Sequence, residues 1–238
     1  MNIHTYATHS SMNEREIKDA AIVVIDLLRA STTIITAMMH GVQKIIPAKD
    51  VNEAVAVSRS MGRDISLLAG EQGGVKLPDF DLDNSPVQFT TGAYQGKTVV
   101  LTTSNGTEAI HKARNSGPVY IGALLNKTAV AKHLSKLGKD VIFVCAGTGG
   151  RISADDLYCA GAIINALRGF TSNLTLSDTA LVCEFLYTQP AGRKLVSGCA
   201  HYLRLMELGK TEDIDLCFTE DITVILPSYI DGILTPGA

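Results

Sequence analysis

The chain has no tryptophan, few aromatic residues of any kind, and no concentration of basic charge: its 21 Lys and Arg are scattered among 24 Asp and Glu, for a net charge of −3 over 238 residues. Nucleic-acid binding needs a positive footprint, and bases or sugar rings need stacking platforms. Neither is present, so no nucleic-acid partner is expected, and small substrates without rings fit better. The five cysteines (Cys145, Cys159, Cys183, Cys199, Cys217) are odd in number, far apart and free of any CxxC. That spacing supports neither a disulfide framework nor a zinc site and points to a reducing compartment. No apolar run approaches the roughly 20 residues of a membrane span. Met1-Asn2-Ile3-His4-Thr5-Tyr6 lacks the layout of a signal peptide, so the reading is a cytoplasmic protein with no membrane partner. Three signatures are missing as well: GxxxxGK[ST], GxGxxG after the first strand, and HExxH. With six isolated histidines, this argues against a Walker-type NTPase, a dinucleotide-binding half and a Ser-His-Asp hydrolase.

What is present is a regular alternation of short β-branched runs with helical-period segments. Strands are predicted at Ile22–Ile25, Lys44–Pro47, Ile65–Ala69, Thr98–Thr102, Val119–Ile121 and Val141–Cys145. Between them fall helices at Ser31–His40, Asp50–Met61, Asn105–Asn115, Asn126–Leu137 and Ser153–Leu167. Helical crossovers imply parallel pairing, hence a three-layer α/β fold with a mostly parallel sheet and helices on both faces. Beyond Gly169 the pattern becomes a helix-rich C-terminal extension, Ser177–Tyr187 and Pro190–Gly209, followed by strand-like Ile214–Phe218 and Thr223–Leu226. With no repeat, low-complexity run or flexible linker, a single compact domain over residues 1–238 is expected, and a homodimer is compatible with the composition.

Five of the predicted strands end in small, polar, glycine-punctuated loops. In a parallel sheet, loops at the carboxyl ends of strands share one rim, where ligands bind, so these loops are expected to form one site. Asp26 ends the most apolar strand, where a carboxylate needs a metal, an arginine or backbone donors. It is therefore a candidate metal ligand or nucleophile, or else the partner of Arg29. Arg29, Ser31 and Thr32 at the next helix start suit an anion, although Ser31 as a plain N-cap explains part of that pattern. Cys145 and Arg151, spaced Cys-x5-Arg across Gly147 and Thr148, resemble the nucleophile and anion ligand of cysteine phosphatases. Val144 and Ile152 break that pattern, and a buried thiol is the competing reading of Cys145. The long connection Gly70–Asn84, read as a functional loop without helix or strand, brings Glu71, Asp81, Asp83 and Asn84, hard oxygen donors suited to Mg²⁺. Thr102, Thr103, Gly106 and Thr107 border an Asn-Gly turn that suits a phosphate or carboxylate. Asn105 with Glu108 reads as a capping box, and Asn126, Asp155 and Asp156 read as caps and first-turn acids or as ligands.

Taken in order, Ile25-Asp26-Leu27-Leu28-Arg29-Ala30-Ser31-Thr32-Thr33, Phe80-Asp81-Leu82-Asp83-Asn84-Ser85-Pro86, Leu101-Thr102-Thr103-Ser104-Asn105-Gly106-Thr107 and Cys145-Ala146-Gly147-Thr148 leading to Gly150-Arg151 together resemble the 2-phosphosulfolactate phosphatases. These are magnesium-dependent enzymes that hydrolyse 2-phospho-3-sulfolactate to 3-sulfolactate and phosphate. The resemblance implies Mg²⁺ on Asp26, Glu71 and Asp81. It implies a small substrate carrying phosphate, sulfonate and carboxylate, held by Arg29, Arg151, helix amino termini and the Thr102–Thr107 loop. The nucleophile stays open between metal-bound water, Asp26 and Cys145. Two positions depart from the family pattern: Gln72 stands where an arginine is common, and Asp83 where glycine is common, which makes Asp83 a weaker ligand candidate than Asp81. The alternatives are a metal-free cysteine phosphatase acting on another small phosphorylated hydroxy acid, and a non-catalytic binder of an anionic metabolite.

Overall fold

The structure is a computed structural model that describes residues 1–13, 19–114 and 117–237. An 11-stranded mixed sheet carries the fold. Its strands are β1 (Asn2–Tyr6), β2 (Ala21–Ile25), β3 (Lys44–Pro47), β4 (Ser66–Gln72), β5 (Val75–Lys76), β6 (Thr98–Thr102), β7 (Val119–Ile121), β8 (Val141–Cys145), β9 (Thr175–Leu176), β10 (Ser228–Ile230) and β11 (Ile233–Thr235). The helices are α1 (Ala30–Met39), α2 (Val51–Met61), α3 (Gly106–Ala113), α4 (Lys127–Leu137), α5 (Ala154–Leu167), α6 (Asp178–Thr188), α7 (Gly192–Val196), α8 (Ala200–Glu207) and α9 (Thr211–Cys217). Strand β2 is buried along its whole length, as a central strand covered on both faces must be, and this explains its unbroken apolar run. Helices α1 and α3 pack on each other, as do α4, α5 and α6.

The strand order is β5-β4-β6-β3-β11-β10-β7-β2-β8-β1-β9. Two groups pair in parallel, β4 with β6 and β3, and β7 with β2, β8, β1 and β9. The β10–β11 hairpin joins them through antiparallel pairings on both sides. The turn is Asp231-Gly232, with φ of 50° and 88°. Left-handed conformations at both central residues are what a type I′ turn demands, and Asp-Gly meets that demand at little steric cost.

Three successive antiparallel pairings reverse the direction of one half relative to the other. By direction alone, the carboxyl ends of β4 and β6 would lie opposite those of β2 and β8. In the folded sheet, whose strands twist relative to one another, the segments that follow β6 and β2 nevertheless come into contact. Gly106, at the start of α3, marks the meeting point: a Cβ there would stand 2.6 Å from Asp26 Oδ2 and 2.6 Å from the Ala30 methyl.

The main strands and helices fall where the sequence places them, with differences in four predicted segments and four added strands, β1, β9, β10 and β11. Ile214–Phe218 is helical rather than extended, because Ile214 and Cys217, three apart, share one buried face with Leu28 and Leu205. Thr223–Leu226 joins no strand ladder; the backbone here bonds instead to the segment after β7, through Thr223 N–H to Leu125 O (3.2 Å) and Asn126 Nδ2 to Ile225 O (2.9 Å). Pro190–Gly209 is interrupted between α7 and α8. The Gly70–Asn84 connection is partly regular, with β4 continuing to Gln72 and turning through Gly73-Gly74 into β5. The N-terminal strand β1 is an addition, and Asn115, the expected end of the third helix, lies outside the described residues.

The hairpin's role can be tested at Leu234, which is fully buried and pairs with Ile45 on β3. If β10–β11 is the structural bridge between the halves, Leu234→Ala should cost about 2–5 kcal/mol in urea unfolding. A cost under about 1 kcal/mol would show that the hairpin merely covers an already stable sheet.

Candidate active site

A cavity of about 400 Å³ opens where the ends of the two half-sheets meet. Its walls come from the β2–α1 loop (Asp26, Leu28, Arg29), the β4–β5 turn (Glu71, Gly73, Gly74), Asn84, the β6–α3 loop (Ser104, Asn105), the β8–α5 loop (Thr148, Gly149) and α8 (Ala200, His201, Arg204). Four of the five polar loops thus converge as expected. The Gly122–Asn126 loop does not reach the cavity. Asn126 is fully buried, accepts from Ala123 N–H (3.0 Å) and donates to Ile121 O and Ile225 O, so it anchors the C-terminal segment.

Asp26 is 8% exposed. Its Oδ1 accepts the Ala30 N–H at 3.2 Å, and among the described residues it forms no ion pair. Burial, reinforced by repulsion from Asp155, pushes its pKa up to about 7, against the opposing pull of the Ala30 hydrogen bond. Asp155 and Asp156, at the start of α5, are also buried. Asp156 accepts Leu27 N–H (2.8 Å) on one oxygen and Gly147 N–H (2.9 Å) on the other, clamping two of the site's loops together. Burial and the neighbouring acids push its pKa well above the carboxylate range. The pair are first-turn acids of α5, one of the two roles the sequence offers for them, and the clamp to Leu27 leaves no local trace because that partner lies on another strand's loop.

Arg29 is 2% exposed and its donors are taken up by carboxylates: Nη1 lies 2.7 Å from Asp213 Oδ2 and 3.4 Å from Asp83 Oδ2, while Nη2 reaches Asp83 Oδ1 and Gly74 O. Burial opposes its charge, but Asp83 and Asp213 outweigh that and hold its pKa above the ordinary value. Lys210 adds a contact to Asp83 at 2.7 Å. The guanidinium fork expected to grip a substrate anion is therefore occupied, and it docks α9 and the long loop onto the β2–α1 turn.

Glu71 lines the cavity and bridges its loops, accepting Gly74 N–H (2.7 Å) and Ser104 N–H (2.8 Å). Asp81 stands elsewhere. Its carboxylate accepts from Arg63 at 2.5 Å and from Leu68 N–H at 2.7 Å, and it does not line the cavity. Arg151 is exposed and outside the cavity lining, its backbone paired with Thr148. Cys145 is fully buried, and burial, then Asp156, pushes its thiol well above the usual range.

Several hydroxyls are turned inward. Ser31 Oγ accepts Asp26 N–H (2.9 Å), and Thr32 Oγ donates to Leu27 O (3.0 Å). Thr103 and Thr107 cap α3 reciprocally, Thr107 N–H to Thr103 Oγ at 3.1 Å and Thr103 N–H to Thr107 Oγ at 3.3 Å. Thr102 is buried at the end of β6. The expected Asn105–Glu108 capping box is absent. Because the threonines cap the helix, Asn105 is released to the cavity, where its Oδ1 accepts Gly149 N–H (3.0 Å) and its amide NH₂ remains for a ligand. His201 and Arg204, which sequence reading passed over, arrive from the C-terminal helices, and His201 Nδ1 sits 3.4 Å from Thr148 Oγ.

Asp26 and Glu71 give the cavity two hard carboxylates. Among the described residues no three His, Cys, Asp or Glu side chains group into a metal cage. Two such carboxylates are a donor set of the kind Mg²⁺ takes from a protein, the rest of its shell being waters and substrate phosphate.

An α/β scaffold whose strand-end loops surround acids and backbone donors defines a site for a small anionic ligand. The family model described as 2-phosphosulpholactate phosphatase matches residues 6–232. Among similar proteins, one of Caldanaerobacter subterraneus subsp. tengcongensis is 42% identical over 237 residues, covering 98% of each chain. One of Clostridium tetani is 38% identical, covering 98% of this chain and 100% of the relative, and one of Clostridium acetobutylicum is 37% identical, covering 98% and 99%. All three carry the name "Probable 2-phosphosulfolactate phosphatase". The chain belongs to the 2-phosphosulfolactate phosphatase family.

Two variants test these placements. Arg29→Ala leaves buried Asp213 without a cation and Asp83 with Lys210 alone, and should cost about 3–5 kcal/mol in denaturant unfolding. A loss below about 1 kcal/mol, with activity abolished, would show that the charge serves the ligand instead. Cys145→Ser should keep phosphate release within about tenfold of wild type, since a buried protonated thiol is no nucleophile. Complete loss in a folded variant would overturn this assignment.

Proposed function

We propose that the protein hydrolyses 2-phospho-3-sulfolactate to 3-sulfolactate and phosphate in the cytoplasm, with Mg²⁺ as its cofactor. Family membership over nearly the whole chain supports the reaction. The observation that carries the cofactor is Asp26, a buried carboxylate that lines the cavity and, among the described residues, has no ion-pair partner. Such a group is costly unless a proton or a cation neutralises it.

In this reading Asp26 and Glu71 hold the ion. When bound, Mg²⁺ would supply neutralisation of the phosphoryl oxygens' charge. The Asn105 amide and the Ser104 and Thr148 hydroxyls orient the phosphoryl group, positioning that accounts for much of catalysis when the transition state is loose. Asp156 keeps the two loops carrying Asp26 and Thr148 in register by its paired backbone contacts. Arg29 contributes through the scaffold, holding the long loop and α9 against the site.

The buried Cys145 and the outlying Arg151 weigh against the metal-free cysteine route. A binding protein with the same loops would release no phosphate, so one assay separates all three readings. Phosphate release from 2-phosphosulfolactate should require added Mg²⁺ and vanish on exhaustive chelation. Because the ion must displace the Asp26 proton, the Mg²⁺ concentration for half-maximal activity should rise as pH falls below about 7, by roughly tenfold per pH unit if one proton is exchanged. Undiminished turnover in excess EDTA would refute the metal, and no turnover under any condition would leave the binding reading.

A further inference from the structure

We infer that Arg204, on α8, is the specificity residue that reads the sulfonate of the substrate; this rests on the reaction proposed above. Two guanidinium groups line the cavity, and that of Arg29 is consumed by Asp83 and Asp213. Lys210 is held on Asp83, and Arg151 lies outside. Among the described residues Arg204 pairs only with Glu207, at 3.4 Å, and both side chains are about half exposed or more, at 49% and 69%. Such a pair is weak and screened by water, and a ligand anion can displace it.

The helix is set to deliver this charge. Leu205 is fully buried beside Leu28, Ile214 and Cys217, which fixes the rotation of α8. His201, one turn before Arg204, faces the same cavity and reaches Thr148. Asp26 and Glu71 thus enter the cavity from strand-end loops, and Arg204 enters it from α8. A substrate whose phosphate sits at the carboxylates through a cation must turn its other end toward α8. In a 2-phosphorylated 3-sulfonate, the carboxylate shares the phosphate-bearing carbon while the sulfonate stands one carbon further out. The more distant anion meets Arg204, and a planar guanidinium offers paired donors to its oxygens.

The test compares kcat/KM for 2-phosphosulfolactate and for 2-phospholactate, which lacks only the sulfonate, in wild type, Arg204→Ala, Arg204→Lys and Arg204→Gln. Thermal melts check that each variant is folded. Arg204→Ala and Arg204→Gln should lose about tenfold to a hundredfold on 2-phosphosulfolactate and stay within about twofold on phospholactate, with Arg204→Lys between. Equal losses on both esters, or none, in the folded proteins would overturn the assignment while leaving the reaction standing. Failure of the wild type to hydrolyse either ester overturns the proposed reaction and this assignment with it.

Discussion

Five carboxylates are buried among the described residues, Asp26, Asp83, Asp155, Asp156 and Asp213, and a single buried guanidinium answers two of them. The geometry of the cavity follows from that imbalance. Arg29 gathers Asp83 from the long loop and Asp213 from α9 onto the turn after β2, so that one charge fastens three separated stretches of chain. Asp156 takes the other course and spends its oxygens on backbone N–H groups. Asp26 is left with one backbone donor and no cation, and so becomes the point where a ligand's charge matters most.

A buried ion pair contributes little net stability compared with a well-packed apolar substitute, but it is expensive to break from one side. The arrangement therefore fixes where the C-terminal helices sit more than it strengthens the fold. Since α8 forms part of the cavity's lining, the shape of the cavity depends on a contact that touches no ligand.

The alternating core was legible because β-branched runs and helical periods are local properties, and the convergence of Asp26, Glu71, Asn105 and Thr148 followed from their places at strand ends. Side-chain roles were less accessible. Arg29 and Asp81 sit in motifs that suit ligand binding, yet one is consumed by Asp213 from a distant helix and the other by Arg63, pairings with no local trace. His201 and Arg204 lie in a helix whose docking depends on Leu205 meeting Leu28, a long-range contact that periodicity does not report. Ile214–Phe218 shows the same limit, since a short apolar run reads as a strand until its neighbours declare a helical face. The Asp231-Gly232 hairpin was the one clear local signal left unread.

That hairpin has a consequence for how the protein is made. The strands that join the two half-sheets, β10 and β11, are contributed by residues 228–235, which are synthesised after all the strands they join. At elongation rates of about 5–20 residues per second, the earlier strands spend roughly ten seconds or more emerging from the ribosome while β3 and β7 wait with unpaired edges. Folding of the sheet cannot be completed progressively from the amino terminus. The nascent chain must hold two open half-sheets until its last turn arrives, and in that interval those edges are exposed to pairing with other chains.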